Sequence, residues 1–349
     1  MKKIKFFDAK PFEKNFFNSV NAQKNNAYEI EYVEARLNSQ TASLDAGSDV
    51  VCCFVNDVVD KNVVAALKEN GVQLVALRCA GYNNVDLEAA YKSIHVVRVP
   101  EYSPYAVAEH ATALILTLNR RTHKAYNRVR EGNFKIDGLM GFDMHGKNVG
   151  IIGTGKIGRK FASIMKGYGV RLLGYDAYPD KNFAAEVGME YVGLDDLFHQ
   201  SDIISLHCPL TKETNNIIDS ESIAKMKDSV MIINTGRGQL IETKALIQAL
   251  KQQKIGAAGL DVYEEESEYF FEDFSGSVIS DDVLARLLTF GNVLVTSHQG
   301  FFTREAMQNI AETTLWNTGK FFSGEKLENE ICYQCPGNEC PKEKKGRCW

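Results

Sequence analysis

Short apolar runs separated by helix-length stretches recur along almost the whole chain, and few architectures accommodate that alternation. In the first hundred residues, Val50 to Val55, Leu74 to Leu77 and Val96 to Val99 read as strands, and Asn62 to Asn70 as a helix ending at Gly71. The same rhythm resumes with strands at Asn148 to Ile152, Val170 to Tyr175, Ile203 to Leu206, Met231 to Asn234, Ala257 to Leu260 and Val293 to Thr296. Strands covered on both faces read as continuous apolar runs, which is the mark of parallel sheets flanked by helices. The expectation is an α/β protein with two Rossmann-like, doubly wound parallel-sheet domains. Between the two series, Pro104 to Arg130 reads as one long helix, placed as a domain connector. A last helical pattern, Glu305 to Phe322, follows the final strand and is expected to return to the first domain.

A length of 349 residues agrees with two domains. With 44% hydrophobic and 24% charged residues the composition is that of a globular protein, and a net charge of -5 leaves no basic footprint for nucleic acid or a membrane surface. The basic start Met1 to Phe7 lacks the apolar core of a signal peptide, and the longest apolar stretch, Ala111 to Leu118, is far short of the ~20 residues of a membrane span. These features predict a cytoplasmic protein.

Gly153-Thr154-Gly155-Lys156-Ile157-Gly158 follows a predicted strand and opens a predicted helix, the context in which glycines at this spacing cradle a dinucleotide. The first glycine permits the tight turn, the second lets backbone approach the pyrophosphate, and the third allows close helix–strand packing. The free N–H groups of the helix N-terminus then face the phosphates. Asp176 ends the next strand, eighteen residues after Gly158, where a carboxylate holds a ribose diol and repels a 2′-phosphate. NAD(H) is therefore expected over NADP(H).

Three polar residues follow predicted strands on the side where open α/β sheets bind ligands. They are Arg237 in Asn234-Thr235-Gly236-Arg237-Gly238, a carboxylate among Glu264, Glu265 and Glu266, and His298. Reduction of a 2-keto acid needs a planar cation for the carboxylate, a proton donor suited to neutral pH, and an acid to orient that donor. Arg237, His298 and a neighbouring glutamate match those needs, although chemistry alone does not choose among the three glutamates.

The ordered motifs GTGKIG, NTGRG, DVYEEE and VTSHQGFFT, with the loops Leu77 to Asp86 and Val99 to Pro104, resemble the D-2-hydroxyacid dehydrogenase family and its fermentative D-lactate branch, over roughly residues 1 to 331. The resemblance implies a catalytic set of His298, Glu266 and Arg237. It implies that Asp261 lies near the nicotinamide and that His207, Cys208 and Pro209 border the cofactor, with Thr235 and Gly236 beside them. Backbone N–H groups of Ala80 and Gly81 would hold the substrate carboxylate, with Tyr102 adjacent. Phe54 would face the substrate side chain, and a bulky ring there favours pyruvate. The implied division is a discontinuous substrate domain (1–101 and 300–331), an inserted NAD domain (102–299) and a tail (332–349), in a homo-oligomer (dimer or tetramer). The alternatives are a larger substrate, such as 2-ketoisocaproate or phenylpyruvate, and a non-enzymatic NAD sensor.

Cys332, Cys335, Cys340 and Cys348 lie in that tail, outside the resemblance. Their spacing is neither that of a zinc ribbon nor of a ferredoxin. The expectation is no metal and a mobile tail of reduced thiols, with a four-cysteine zinc site as the alternative.

Overall fold

All the strands of both sheets run parallel to their neighbours, as the continuous apolar runs among them led one to expect. A computed structural model describes residues 1–266, 269–335 and 340–349. The chain forms two units, Met1–Ser103 with Phe302–Trp349, and Pro104–Phe301.

The first unit holds β1 (Lys2–Phe6), β2 (Tyr28–Tyr32), β3 (Val50–Cys53), β4 (Leu74–Leu77) and β5 (His95–Val97), in the order β2-β1-β3-β4-β5. This is the flavodoxin-like variant of double winding. The helices Pro11–Gln23 and Arg304–Ser323 pack against each other in this unit, and Tyr28 Oη donates to the carbonyl of Leu315 at 3.2 Å.

A buried ionic group fixes the loops that leave β3 and β4. Arg78, 1% exposed, donates from Nε to Glu13 Oε1 at 2.6 Å and from its second Nη to the Asp8 carbonyl at 2.9 Å. Its guanidinium lies 4.2 Å from the Phe6 ring centroid and 5.0 Å from that of Phe54. Asp57, also buried, accepts the backbone N–H groups of Leu37 and Phe54, each at 2.6 Å. Burial outweighs the pull of Arg78 and pushes the Asp57 carboxyl up to about 6.

The second unit holds β6 (Asn148–Ile152), β7 (Arg171–Tyr175), β8 (Met189–Tyr191), β9 (Ile203–Leu206), β10 (Val230–Asn234), β11 (Ile255–Leu260) and β12 (Val293–Val295). Their order is β12-β11-β10-β9-β6-β7-β8, so the winding reverses between β6 and β9. Open α/β sheets bind ligands at such a switch point, beyond the carboxyl ends of the strands.

Two expectations are corrected. The long helix is two helices, Pro104–Arg120 and Thr122–Arg130, because Arg121 takes a left-handed conformation (φ 49°) that an α-helix cannot continue through. The described residues at the end of the chain pack on the first unit, where loose chain was expected. Ile331 donates its N–H to the Val96 carbonyl of β5 at 2.9 Å, Leu327 donates to Gly346 at 2.8 Å, and the Trp349 ring stacks on His95 with centroids 3.9 Å apart. Apolar and aromatic tail residues find covering partners there, which a sequence of lysines and cysteines does not advertise.

Candidate active site

The glycine motif sits at the switch point, between the end of β6 and the helix Lys156–Lys166. Gly153 has φ 93°, and a Cβ there would lie 2.3 Å from the Cys208 nitrogen in the loop after β9. A Cβ on Gly158 would meet the Gly153 carbonyl oxygen at 2.0 Å. Only glycine fits either place. Gly155 differs, since a Cβ there would meet nothing within 4 Å, leaving its backbone open to a ligand at the helix N-terminus.

Asp176 directly follows β7 and accepts the Thr154 N–H at 2.6 Å and the Tyr178 N–H at 2.8 Å, which fixes the carboxylate beside the glycine turn. His207 meets Ser205 Oγ through Nε2 at 2.9 Å, and burial of its ring pulls its pKa down to about 3, so the imidazole is neutral. Burial likewise pushes the Cys208 thiol up to about 11, making it a protonated apolar wall rather than a nucleophile. Thr235 Oγ1, at the end of β10, is buried without a hydrogen-bond partner among the described residues. An open backbone cradle, a fixed carboxylate and an orphaned hydroxyl together fit a dinucleotide.

The polar residues follow the three adjacent strands β10, β11 and β12. Asn234 shapes the turn that carries Arg237, accepting the Gly236 N–H at 3.0 Å and donating to the Arg237 carbonyl at 2.8 Å. A Cβ on Gly238 would lie 2.1 Å from the carbonyl carbon of Tyr263, so this turn packs tightly on the segment after β11. Arg237 is half-buried, and one Nη donates to the Gly236 carbonyl at 2.8 Å.

His298 Nδ1 lies 2.8 Å from Glu266 Oε1, and the other Glu266 oxygen accepts the Tyr263 N–H at 3.0 Å. The carboxylate that meets the histidine is thus Glu266. Glu264 instead lies by the Thr243 N–H at 3.4 Å, and Glu265 is exposed. With Nδ1–H directed at Glu266, Nε2 is the ring nitrogen turned away from that carboxylate.

His298 has φ 49°, a left-handed conformation that costs a non-glycine residue on the order of 1 kcal/mol or more. Buried Asp261 holds that turn in place. Its oxygens accept Thr296 Oγ1 at 2.5 Å, the Gln299 N–H at 2.9 Å and the Gly300 N–H at 2.7 Å, while its carbonyl accepts the His298 N–H at 2.8 Å. His110, on the helix Pro104–Arg120, adds its Nε2 at 3.0 Å from Thr296 Oγ1 and 3.2 Å from Asp261 Oδ1. Sequence reasoning missed His110, Thr296 and Ser205. His110 stands 151 positions before Asp261 in an apolar helix, and no local pattern links them.

In the first unit, Phe54 is half-buried with its N–H held by Asp57. The loop of Ala80 and Gly81 is tied by Arg98, which donates to the Ala80 carbonyl at 2.6 Å. Tyr102 gives its carbonyl to Asn309 Nδ2 at 2.6 Å.

Residues 112–300 match the family model for the D-isomer specific 2-hydroxyacid dehydrogenase NAD binding domain. A 2-hydroxyacid dehydrogenase homolog of Haemophilus influenzae is 51% identical over 331 residues, 94% of this chain and 99% of the relative. The apo-structure of D-lactate dehydrogenase from Escherichia coli superposes with a TM-score of 0.87 at 47% identity, covering 94% of this chain and 99% of that one. A pyruvate reductase of Chlamydomonas reinhardtii gives 0.90 at 43% identity, covering 94% and 98%. The chain belongs to the D-isomer-specific 2-hydroxyacid dehydrogenase family. Within it, the chain sides with the D-lactate dehydrogenase branch and is an NAD-dependent oxidoreductase.

The geometry around Asp176 gives a prediction. Replacing Asp176 by Ser should lower the preference for NADH over NADPH about tenfold or more, since a charge-assisted hydrogen bond is worth ~1.5–3 kcal/mol. The ratio of kcat/KM for the two cofactors measures it, and an unchanged ratio would remove Asp176 from ribose recognition.

Proposed function

We propose that this chain reduces pyruvate to D-lactate with NADH, reversibly. The observation that carries the reading is the His298–Glu266 pair, poised at the end of β12 in a domain of known cofactor. The names of its relatives, D-lactate dehydrogenase and pyruvate reductase, support the substrate. Bound NADH supplies the hydride that reduces C2. Arg237 binds the substrate carboxylate through its planar fork and polarises the keto oxygen. His298 delivers a proton from Nε2 to that oxygen, and Glu266 keeps the ring oriented and stabilises its charged form. In the cofactor's half, Gly153 to Gly158 and Asp176 hold pyrophosphate and ribose, with His207, Cys208, Pro209, Thr235 and Gly236 bordering the site. Asp261 acts there by fixing the His298 turn. The first unit is the substrate domain in this reading, with the Ala80 and Gly81 N–H groups and Tyr102 serving the carboxylate and Phe54 limiting the side chain.

The assembly proposed is a cytoplasmic homo-oligomer. Phe134, Ile136 and Met140 are 75%, 81% and 88% exposed on one segment, an apolar surface of the kind that association covers. Sedimentation equilibrium tests it, and a monomer at micromolar concentration would rule it out.

Substrate choice is tested by kcat/KM for pyruvate, 2-ketobutyrate, 2-ketoisocaproate and phenylpyruvate, with the wild type and Phe54→Ala. Pyruvate should lead, and the variant should shift preference toward the larger acids by about tenfold or more, pocket contacts being worth ~1–3 kcal/mol. A wild type that prefers larger acids would keep the proton-transfer machinery and discard Phe54 as the pocket wall.

A further inference from the structure

The sulfur atoms of Cys332, Cys335, Cys340 and Cys348 lie within 4.8 Å of one another. Cys332 to Cys335 and Cys335 to Cys348 are each 3.7 Å, and Cys332 to Cys340 is 3.6 Å. These are not disulfides, whose sulfurs are ~2.05 Å apart. They match another geometry. Four thiolates placed tetrahedrally ~2.3 Å from one zinc ion have edges of about 3.8 Å. Iron–sulfur clusters need their cysteines farther apart, because several iron atoms lie between them.

We propose that these four cysteines bind one zinc ion, which staples the tail to the edge of the first unit's sheet. The frame around them is already built. Cys332 and Cys348 are buried, and the Cys332 N–H donates to Cys335 Sγ at 3.3 Å, a contact that stabilises a thiolate. The Cys348 N–H donates to buried Glu330 at 2.5 Å, and Glu330 in turn meets His95 of β5. Lys342 Nζ donates to the Glu330 carbonyl at 2.9 Å. Binding converts four thiols to thiolates, releases four protons to solvent and leaves a centre of charge −2. Lys342, Lys344, Lys345 and Arg347, opposed only by Glu343, lie between the last two cysteines and offset that charge. Soft thiolate donors select zinc over magnesium or calcium. With all four positions taken by cysteine sulfur no coordination site is left open for a substrate, so the role is structural.

The test is metal content of the full chain, purified under reducing conditions and titrated with zinc chloride, beside Cys335→Ser/Cys340→Ser. The expected result is about one zinc per wild-type chain, lost in the double variant. Cobalt(II) substitution of the wild type gives an independent reading, with sulfur-to-cobalt charge-transfer bands and the strong visible bands of a tetrahedral site. That spectrum decides the matter should the double variant fail to fold. Wild type that takes up no zinc, a folded double variant that retains it, or a cobalt spectrum without sulfur charge transfer would overturn the proposal. None of these readings depends on turnover, so it stands or falls apart from the substrate assignment.

Discussion

His298→Gln is expected to lower kcat for pyruvate reduction by about 10²- to 10⁴-fold, the usual contribution of a positioned general acid, while NADH binding is retained. Glutamine keeps a polar side chain near the space of the imidazole and so preserves the contact to Glu266, but it has no proton to give at neutral pH. The turn itself should survive, since Asp261 holds it through the Thr296 hydroxyl and the backbone of Gln299 and Gly300. Steady-state rates and NADH fluorescence titration separate the two effects. Turnover within threefold of the wild type would remove His298 from proton transfer. Loss of NADH binding along with turnover would mean that the substitution had damaged the fold.

The second large effect is on stability. Arg78→Met should destabilise the first unit by about 3–5 kcal/mol, because it leaves Glu13 and Asp57 buried without their cation. The wild-type pair is no great source of stability by itself, since desolvation of both ions offsets their attraction. Removing one partner is different, as the other keeps its full burial cost. Urea unfolding measures the change. Making Glu13→Gln in the same chain should recover a large part of the loss, and a single variant within 1 kcal/mol of the wild type would show the group to be unimportant. The loops bearing Phe54 and Ala80 leave strands anchored by this group, so its loss should also raise KM for pyruvate.

Sequence alone disclosed the parts of this fold that obey simple periodicity. Leu74–Leu77, Asn148–Ile152 and Ile203–Leu206 have the bounds their apolar runs imply. The strands β1 and β2 do not read that way. β1 is Lys-Lys-Ile-Lys-Phe, yet it lies inside the sheet, and its Lys5 is buried because Glu31 of the paired strand meets its ammonium at 2.6 Å. β2 alternates tyrosine and isoleucine with glutamate, as an edge strand half in water does. Pairing across the sheet, not local composition, makes both of them strands. The kink at Arg121 is also silent in sequence, since arginine is a good helix former.

The candidate site was legible where a motif and a strand end coincide, as for Gly153, Asp176, Arg237 and His298. The residues that hold those groups were not legible. His110 and Thr296 reach Asp261 only after strands and a helix have been brought together, and Arg78 finds Glu13 across 65 positions of sequence. For Glu266, chemistry left three neighbouring carboxylates equal. The turn after β11 separates them, by directing one toward His298 and tying another to the Thr243 N–H.

NADH oxidation by the purified chain with pyruvate, followed by chiral chromatography of the product, measures the proposed reaction directly. The expected products are stoichiometric NAD and D-lactate, with no L-lactate above background. Formation of L-lactate, or no turnover of pyruvate or any other 2-keto acid, would contradict the proposed reaction.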